Sequence, residues 1–312
     1  MKVTARIAMS MVVVLQALPL YAQTDFSFLH DYAPTVPEIA RVHGDVEALR
    51  VFRIEADDER IPVLSMDFHR TGAVASQTRY EQGRFRWRSS FSYDPGGRLV
   101  QWQSRNVEGA IEWVYEYSYD GSDVPVQVTE RTGSGLVVGV RNINHRDGAV
   151  EEQTQFDGSG RLQWTRHYDQ IQSHLMQTWT LLFPDGGIVK RVHSHFSPQG
   201  RLVREEHFDQ NNALTEVIRY AYDAYGRVRL TEVFDPDGSV RRRIERRYCE
   251  NGWLHSERRY EAADNVTTTR TLEYTTDMLG NWIQRSEHVQ VDQSGTSLRT
   301  ETQVLERQIR YF

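Results

Sequence analysis

Cysteine is almost missing from this 312-residue chain: Cys249 stands alone, so no internal disulfide can form. Lysine is nearly as scarce, with only Lys2 and Lys190 among the 37 basic residues, and arginine supplies the rest. Proline is limited to nine positions, and the mean hydropathy is −0.61. Apolar residues make up 39% of the chain, too few for a thick globular core but enough for one sheet with a narrow buried strip. The net charge is −6, and the surface is not the basic one that a phosphate backbone needs, so nucleic acid is not an expected partner. No Ser-His-Asp signature, glycine-rich phosphate loop or Cys/His metal spacing is legible, and no cofactor or metal is expected. Cys249 falls in a turn, where an incidental residue is expected rather than a nucleophile.

What is abundant is punctuation. The stretch from Phe196 to Tyr260 carries Phe196-Ser-Pro-Gln-Gly-Arg-Leu202, Tyr222-Asp-Ala-Tyr-Gly-Arg-Val228 and Tyr248-Cys-Glu-Asn-Gly-Trp-Leu254, 26 residues apart. Midway between them fall Phe208-Asp-Gln-Asn-Asn-Ala-Leu214, Phe234-Asp-Pro-Asp-Gly-Ser-Val240 and Tyr260-Glu-Ala-Ala-Asp-Asn-Val266. An aromatic, a turn of four or five residues and an aliphatic thus recur about every 13 residues. From Val46 onward turn centres follow one another, among them Asp58, Gly83, Gly97, Ser122, Gly148, Ser173, Gly187, Asn212, Asn265 and Gly295. Asn at 212 and 265 stands where the backbone needs a positive φ, which Asn tolerates best after Gly. Subtracting the turn leaves strands of eight or nine residues, and turns this short join antiparallel neighbours.

The expected fold is therefore all-β: a long antiparallel meander of hairpin repeats, about 13 residues per strand plus turn, forming a single-layer or partly rolled sheet of about 18–20 strands. Turns 26 residues apart lie on one rim and the interleaved set on the other. Leu202 and Phe208 are six residues apart, as are Val228 and Phe234, and even spacing assigns each pair to one face. Across a turn the aromatic falls opposite the aliphatic, as Phe234 does with Val240, so two apolar girdles rather than a full core would hold the sheet.

Residues 1–22 read as a cleavable export signal: Lys2 and Arg6 precede an apolar run from Ile7 to Leu18, and Ala22 offers a small residue for cleavage. Removing them takes the net charge from −6 to −8. Residues 23–45, with Pro34 and Pro37, read as a linker or cap, and 46–312 as the repeat domain. The expected location is the periplasm or the cell surface, and the expected partner an envelope protein or glycan. The apolar run is too short for a permanent span. A membrane-spanning barrel is not expected, since Arg241-Arg-Arg-Ile-Glu-Arg-Arg247 puts arginine on both faces of its strand.

The motif Tyr/Phe-Asp-x-x-Gly-Arg-Leu resembles the YD repeat of Rhs-type proteins, a family that includes bacterial polymorphic toxins and animal teneurins. Tyr93-Asp-Pro-Gly-Gly-Arg-Leu99, Phe156-Asp-Gly-Ser-Gly-Arg-Leu162 and Tyr222-Asp-Ala-Tyr-Gly-Arg-Val228 carry the resemblance, and Met278-Leu-Gly-Asn-Trp282 looks like its Gly-Asn-Trp variant. It extends over residues 46–312 and implies the fold element. In large members such repeats enclose a toxin in a hollow shell; this chain, ending in repeats from Leu305 to Phe312, is expected neither to close such a shell nor to carry cargo.

Three groups of residues remain as candidate chemistry. Asp94-Pro-x-Gly97 and Asp235-Pro-x-Gly238 match the pattern of the self-cleaving aspartyl site in Rhs shells, but such a site needs two adjacent carboxylates, and these lie 141 residues apart at positions where turns want Asp and Gly. His193, His195, Glu205 and His207 would share one face if Phe196 lies opposite Leu202, with His193 opposite Glu205 and His195 opposite Val203; a solvated face is the expectation, a divalent metal the alternative. Trp87, Trp102, Trp113, Trp164 and Trp179, with arginine neighbours, could make a sugar-stacking surface, although strand aromatics are more often sheet packing. The function expected is that of a non-enzymatic exported repeat protein presenting an extended sheet surface, with a carbohydrate-binding module as the alternative.

Overall fold

The computed structural model describes residues 42–146, 149–171, 175–261, 265–293 and 297–312. The proposed export signal and nearly all of the cap lie outside the described residues, as do the turn centres Gly148, Ser173 and Gly295. Twenty strands and no helix occur among the described residues. They are β1 Val46–Ile54, β2 Arg60–Phe68, β3 Val74–Glu81, β4 Arg84–Tyr93, β5 Leu99–Arg105, β6 Ile111–Ser118, β7 Gln127–Thr132, β8 Val137–Arg146, β9 Ala149–Asp157 and β10 Leu162–Ile171. The chain continues with β11 Met176–Leu182, β12 Ile188–Phe196, β13 Leu202–Phe208, β14 Leu214–Tyr222, β15 Val228–Phe234, β16 Val240–Tyr248, β17 Leu254–Glu261, β18 Asn265–Thr276, β19 Trp282–Gln293 and β20 Ser297–Tyr311.

The turns follow from their residues. Asp94 N–H donates to the Arg98 carbonyl and Gly97 N–H to the Asp94 carbonyl, both at 2.9 Å, and the same two bonds recur at Asp209, Asp223, Asp235 and Asp277. Each closes on a left-handed residue, Gly97, Asn212, Gly226, Gly238 or Gly280, which is the geometry of a type I turn followed by a bulge. The reading of Asn212 is borne out by its φ of 60°. Two centres shift by one residue: Gly186 and Gly121 take the positive φ, not Gly187 and Ser122. The two-residue loop Gln82-Gly83, with φ values of 49° and 77°, makes the one turn of the tighter primed kind described here.

The bulge overturns the face assignment. Phe196 does pair with Leu202, but the register then slips, so that His195 lies opposite Arg204 and not Val203. A second slip sets Phe208 opposite Leu214 and His207 opposite Glu216. Even spacing therefore no longer keeps Leu202 and Phe208 on one face. Tyr222 and Tyr248, with their partners Val228 and Leu254, lie on the face of Phe196, whereas Phe208, Phe234 and Tyr260 lie on the other. The two girdles of aromatic–aliphatic pairs exist, one per rim, but on opposite faces.

Successive strands pair antiparallel from β1 to β10 and from β11 to β19. All twenty belong to one hydrogen-bonded sheet, in which β20 pairs with β19 and also with β1. Phe312 N–H donates to the Asp45 carbonyl at 2.9 Å, and Arg310 meets Glu47 at 2.7 Å. The strand pairings thus run in a closed cycle with no unpaired first or last strand, which corrects the expected open or partly rolled sheet. Closure removes the two unpaired edges that an open meander would present. Contacts cluster into two compact units: β1–β9 and most of β10, joined by Phe183–Asp185 and Glu306–Phe312, and then Asp169–Leu182 with Gly186–Leu305.

In the first unit one face carries most of the burial. Leu49, Val51, Leu64, Met66, Phe91, Tyr115, Val128 and Ile143 sit on it, each under a tenth exposed, in register with buried Gln77, Ser89, Arg141 and Gln153. In the second unit the more buried face carries Val192, Ser194, Glu205, Val233, Glu257 and Leu272.

Candidate functional site

The repeated motif is the first constellation to account for, and each of its residues has a task. Aspartate folds back onto its own turn: Asp223 Oδ1 accepts the amides of Tyr225 and Arg227 at 2.9 Å each, and Asp209 and Asp277 do the same. Arginine then returns to the aspartate, Arg227 Nε lying 2.6 Å from Asp223 Oδ2 and Arg98 Nε 2.8 Å from Asp94 Oδ2. The Arg98 amide and guanidinium hold the Asp94 carboxyl below the usual carboxylate range. The same guanidinium stacks on the tyrosine of the next turn along the rim: Arg98 over Tyr119 and Arg227 over Tyr248, both at 4.7 Å, and Arg201 over Tyr222 at 5.6 Å. That tyrosine's hydroxyl donates to the aliphatic residue of the turn before it: Tyr119 to Leu99, Tyr222 to Leu202, Tyr248 to Val228 and Tyr274 to Leu254, at 2.6–2.8 Å. Burial of the ring pushes the Tyr119 hydroxyl up to about 12, so it remains a donor. The motif is thus a rim clamp, linking each hairpin to the next.

The candidate metal cluster is split between two faces. His193 and His195 approach the same carboxylate oxygen, Glu206 Oε2, at 3.7 and 3.4 Å, and Arg204 donates to Oε1 of the same group at 2.5 Å. Glu205 and His207 project from the opposite face, where Glu205 accepts from the Tyr220 hydroxyl at 2.7 Å and His207 Nδ1 lies 3.1 Å from Glu216. The expected pairing of His193 with Glu205 fails because the bulge at Val203 adds one residue to that strand. Among the described residues no group of three or more potential ligands converges on one point. The Asp-Pro turns are committed locally: Asp94 to Arg98 at 2.7 Å, and Asp235 to Arg241 at 3.5 Å.

Trp87, Trp102, Trp113 and Trp164 share the buried face of the first unit and are half-buried there. Trp102 stacks on Tyr115 at 4.5 Å and donates to the Ser89 hydroxyl at 2.7 Å. Trp164 lies beneath the guanidiniums of Arg141 and Arg166 at 5.6 and 5.8 Å. Trp179, in the second unit, is 8% exposed. These rings pack the sheet.

One grouping escaped the sequence. The loop 119–126 interrupts the 13-residue period and brings Ser122 Oγ to 3.2 Å from His145 Nε2, with Asp120 Oδ2 at 3.7 Å. Both contacts fall on the same ring nitrogen, whereas a Ser-His-Asp relay needs the carboxylate on the other, and the serine hydroxyl also lies 2.9 Å from the Val124 carbonyl. Asp120 and His145 line an open groove of about 390 Å³ together with Gln127, Asn142 and Asn144, whereas Ser122 is not part of its lining. The interrupted period was the signal available; the 23-residue separation of Ser122 and His145 hid the contact.

Across β16–β19 the more buried face of the second unit carries arginine and glutamate in alternation. Arg246 and Arg259 both donate to Glu257 at 2.8 Å, and Arg270 and Arg285 both to Glu287. Burial would raise the Glu257 carboxyl, but the two guanidiniums outweigh it and hold the group below the usual range. Each carboxylate is thus clamped by two arginines, a cross-strand network that stiffens the strand centres.

Antiparallel hairpins tied along one rim by tyrosine hydroxyls, with the full Asp-x-x-Gly-Arg clamp at Asp94–Arg98 and Asp223–Arg227, define a YD-repeat β protein. The chain belongs to the teneurin YD-shell family, whose model matches residues 15–244. No curated protein matches the sequence. Among solved structures it is similar to a porin-like protein from Bacteroides uniformis, at 10% identity and a TM-score of 0.34, over 85% of this chain and 98% of that one. It is also similar to a protein of unknown function from Bacteroides fragilis, at 12% identity and a TM-score of 0.20, over 41% of this chain and 86% of that one.

Proposed function

We propose that this YD-repeat protein is exported and acts without catalysis, presenting an extended sheet surface to a partner in the cell envelope. The observation that carries the reading is a row of exposed and half-exposed polar side chains across the less buried face of the second unit. Arg247, Ser256, Thr271 and His288 lie directly opposite one another on β16–β19, and His288 Nδ1 reaches Thr302 Oγ1 on β20 at 3.1 Å. The rim clamp consumes the motif residues, so the remaining strand positions are free to carry such a row without weakening the sheet. Export is tested by N-terminal sequencing of the chain recovered from the periplasm or medium, which should begin at Gln23. Surface binding is tested by capture from the envelope fraction with the wild type and with Thr271→Glu/His288→Glu. A component retained by the first and lost from the second supports the reading; a chain confined to the cytoplasm, or equal capture by both, ends it.

A second reading, carbohydrate binding, is favoured by one arrangement: four tryptophans on one face of the first unit with Arg79, Arg141 and Arg166 over three contacts to their rings. Glycan binding abolished by Trp102→Ala or Trp164→Ala, with the fold intact, would establish it. Binding unaffected by both would remove it.

A further inference from the structure

We propose that one rim of the second unit docks on an anionic lipid bilayer through its turn apices. The rim in question bears the hairpins 197–201, 223–227, 249–253 and 277–281. In each, the first residue and the left-handed residue are set by the turn, leaving two apex positions between them; at 249–253 one of these, Asn251, still serves its own turn, its Oδ1 accepting the Trp253 amide at 3.3 Å. These positions hold Pro198-Gln199, Ala224-Tyr225, Glu250-Asn251 and Met278-Leu279, against Gln210-Asn211 and Pro236-Asp237 on the opposite rim. Tyr225 is 79% exposed, Met278 103% and Leu279 55%, three large side chains held in water where a polar residue would serve the turn as well.

Charge on the same rim selects the occupant. Arg229 and Arg247 are exposed, each two residues from a turn, and among the described residues neither forms an ion pair or hydrogen bond. The acids nearest the apices are largely engaged: Asp223 with Arg227, and Asp277 with the amides of its own turn, leaving Glu250 exposed. Unpaired guanidiniums beside a tyrosine and two aliphatic tips match the headgroup layer of an anionic bilayer, where Arg pairs with phosphate and amphipathic rings lodge. Spacing argues against a protein pocket. Tyr225 and Met278 are four strands apart along the rim, about 19 Å at the usual strand separation. Two protruding tips that far apart cannot share one cleft, whereas a continuous fluid layer accepts both. This docking goes beyond the surface reading above and does not depend on which partner the sheet face binds.

The test is co-sedimentation of the full chain with vesicles of phosphatidylcholine alone or mixed with phosphatidylglycerol. The wild type should partition onto the anionic vesicles. Met278→Asp/Leu279→Asp should weaken partitioning by about ten-fold or more. Arg229→Gln/Arg247→Gln should remove most of the preference for phosphatidylglycerol. Gln210→Asp/Asn211→Asp on the opposite rim should change nothing. Because Cys249 is the single cysteine and belongs to this rim, an environment-sensitive dye attached there should shift to the blue when vesicles are added to the otherwise unaltered chain. No sedimentation, equal sedimentation of the Met278/Leu279 variant, equal loss from the opposite-rim variant, or a dye that does not respond would each overturn the proposal.

Discussion

At the scale of single residues, the tyrosine of the motif matters more for its hydroxyl than for its ring. Phenylalanine would fill the same space, as Phe196 does, yet Tyr222, Tyr248 and Tyr274 each donate to a main-chain carbonyl 20 residues earlier. That bond ties one hairpin to the previous one at a point where the bulge has interrupted the ladder. Tyr248→Phe should therefore lower stability by about 1 kcal/mol, read as a reduced urea midpoint with an unchanged slope. Tyr225→Phe, at an exposed apex, should leave the midpoint unmoved. A second residue-scale effect concerns His207. Its ring is buried among Val192, Glu216 and Lys190, and burial, reinforced by the lysine and only partly opposed by Glu216, lowers its pKa to about 4. Between about 4 and 6.5 the unfolded chain then binds the proton that the folded chain refuses, so this histidine makes stability rise with pH through that window. Discounted for the solvent that still reaches the site, the contribution is about 1–2 kcal/mol. His207→Gln should flatten the difference between urea midpoints measured at pH 4.5 and 7.5; a variant with the same pH slope as the wild type would contradict the assignment.

At the scale of the element, hairpins were legible and faces were not. The spacing of Phe234 and Val240 announces the pair that forms across the turn, and Asn212 announces its own left-handed backbone, because both depend on residues within one turn. The face of a strand depends on counting residues by twos, and the extra residue at Val203 or Thr215 breaks the count without leaving a mark of its own. The His193–Glu206 pairing was misread for that reason. Glycine illustrates a second limit. In the turn that follows β7, Gly135 has a φ of 88° and open space around it, whereas Gly133 has an ordinary φ but an added Cβ would sit 1.7 Å from the Ile111 carbonyl oxygen. The turn motif identifies the first glycine; only the neighbouring backbone explains the second. Gly135→Ala should cost about 1–2 kcal/mol, the strain of a left-handed alanine. Gly133→Ala should cost distinctly more, because main chain must move, and the order of the two thermal midpoints checks the argument. Equal midpoints would show that the close approach to Ile111 relaxes freely.

At the scale of the whole molecule, the closure of the sheet has no local signature. No turn joins β20 to β1, and the two strands meet across almost the full length of the chain, so a reading built on 13-residue units ends in an open ladder. What favours closure is physical: β1 buries Leu49 and Val51 completely, and an unpaired edge beside such a strand would offer its backbone to any passing strand. The last seven residues cover that edge. They belong to the same compact unit as β1, with Phe312 bonded to Asp45, Arg310 paired with Glu47, and Glu306 paired with Arg60 on β2. The surface ion pairs contribute little by themselves, about 0–1 kcal/mol each. The main-chain pairing is the larger effect, because without it a whole row of β1 amides and carbonyls loses its partners. A chain ended after Leu305 should therefore still form hairpins, with a β-type circular dichroism spectrum, but should self-associate as its concentration rises, seen as growing mass in light scattering. Arg310→Ala/Glu306→Ala, which keeps the pairing and removes the charges, should remain in the wild-type state. If the shortened chain instead stays in that state at every concentration, the β1 edge is protected by something other than β20, and closure is not what keeps this meander apart from its neighbours.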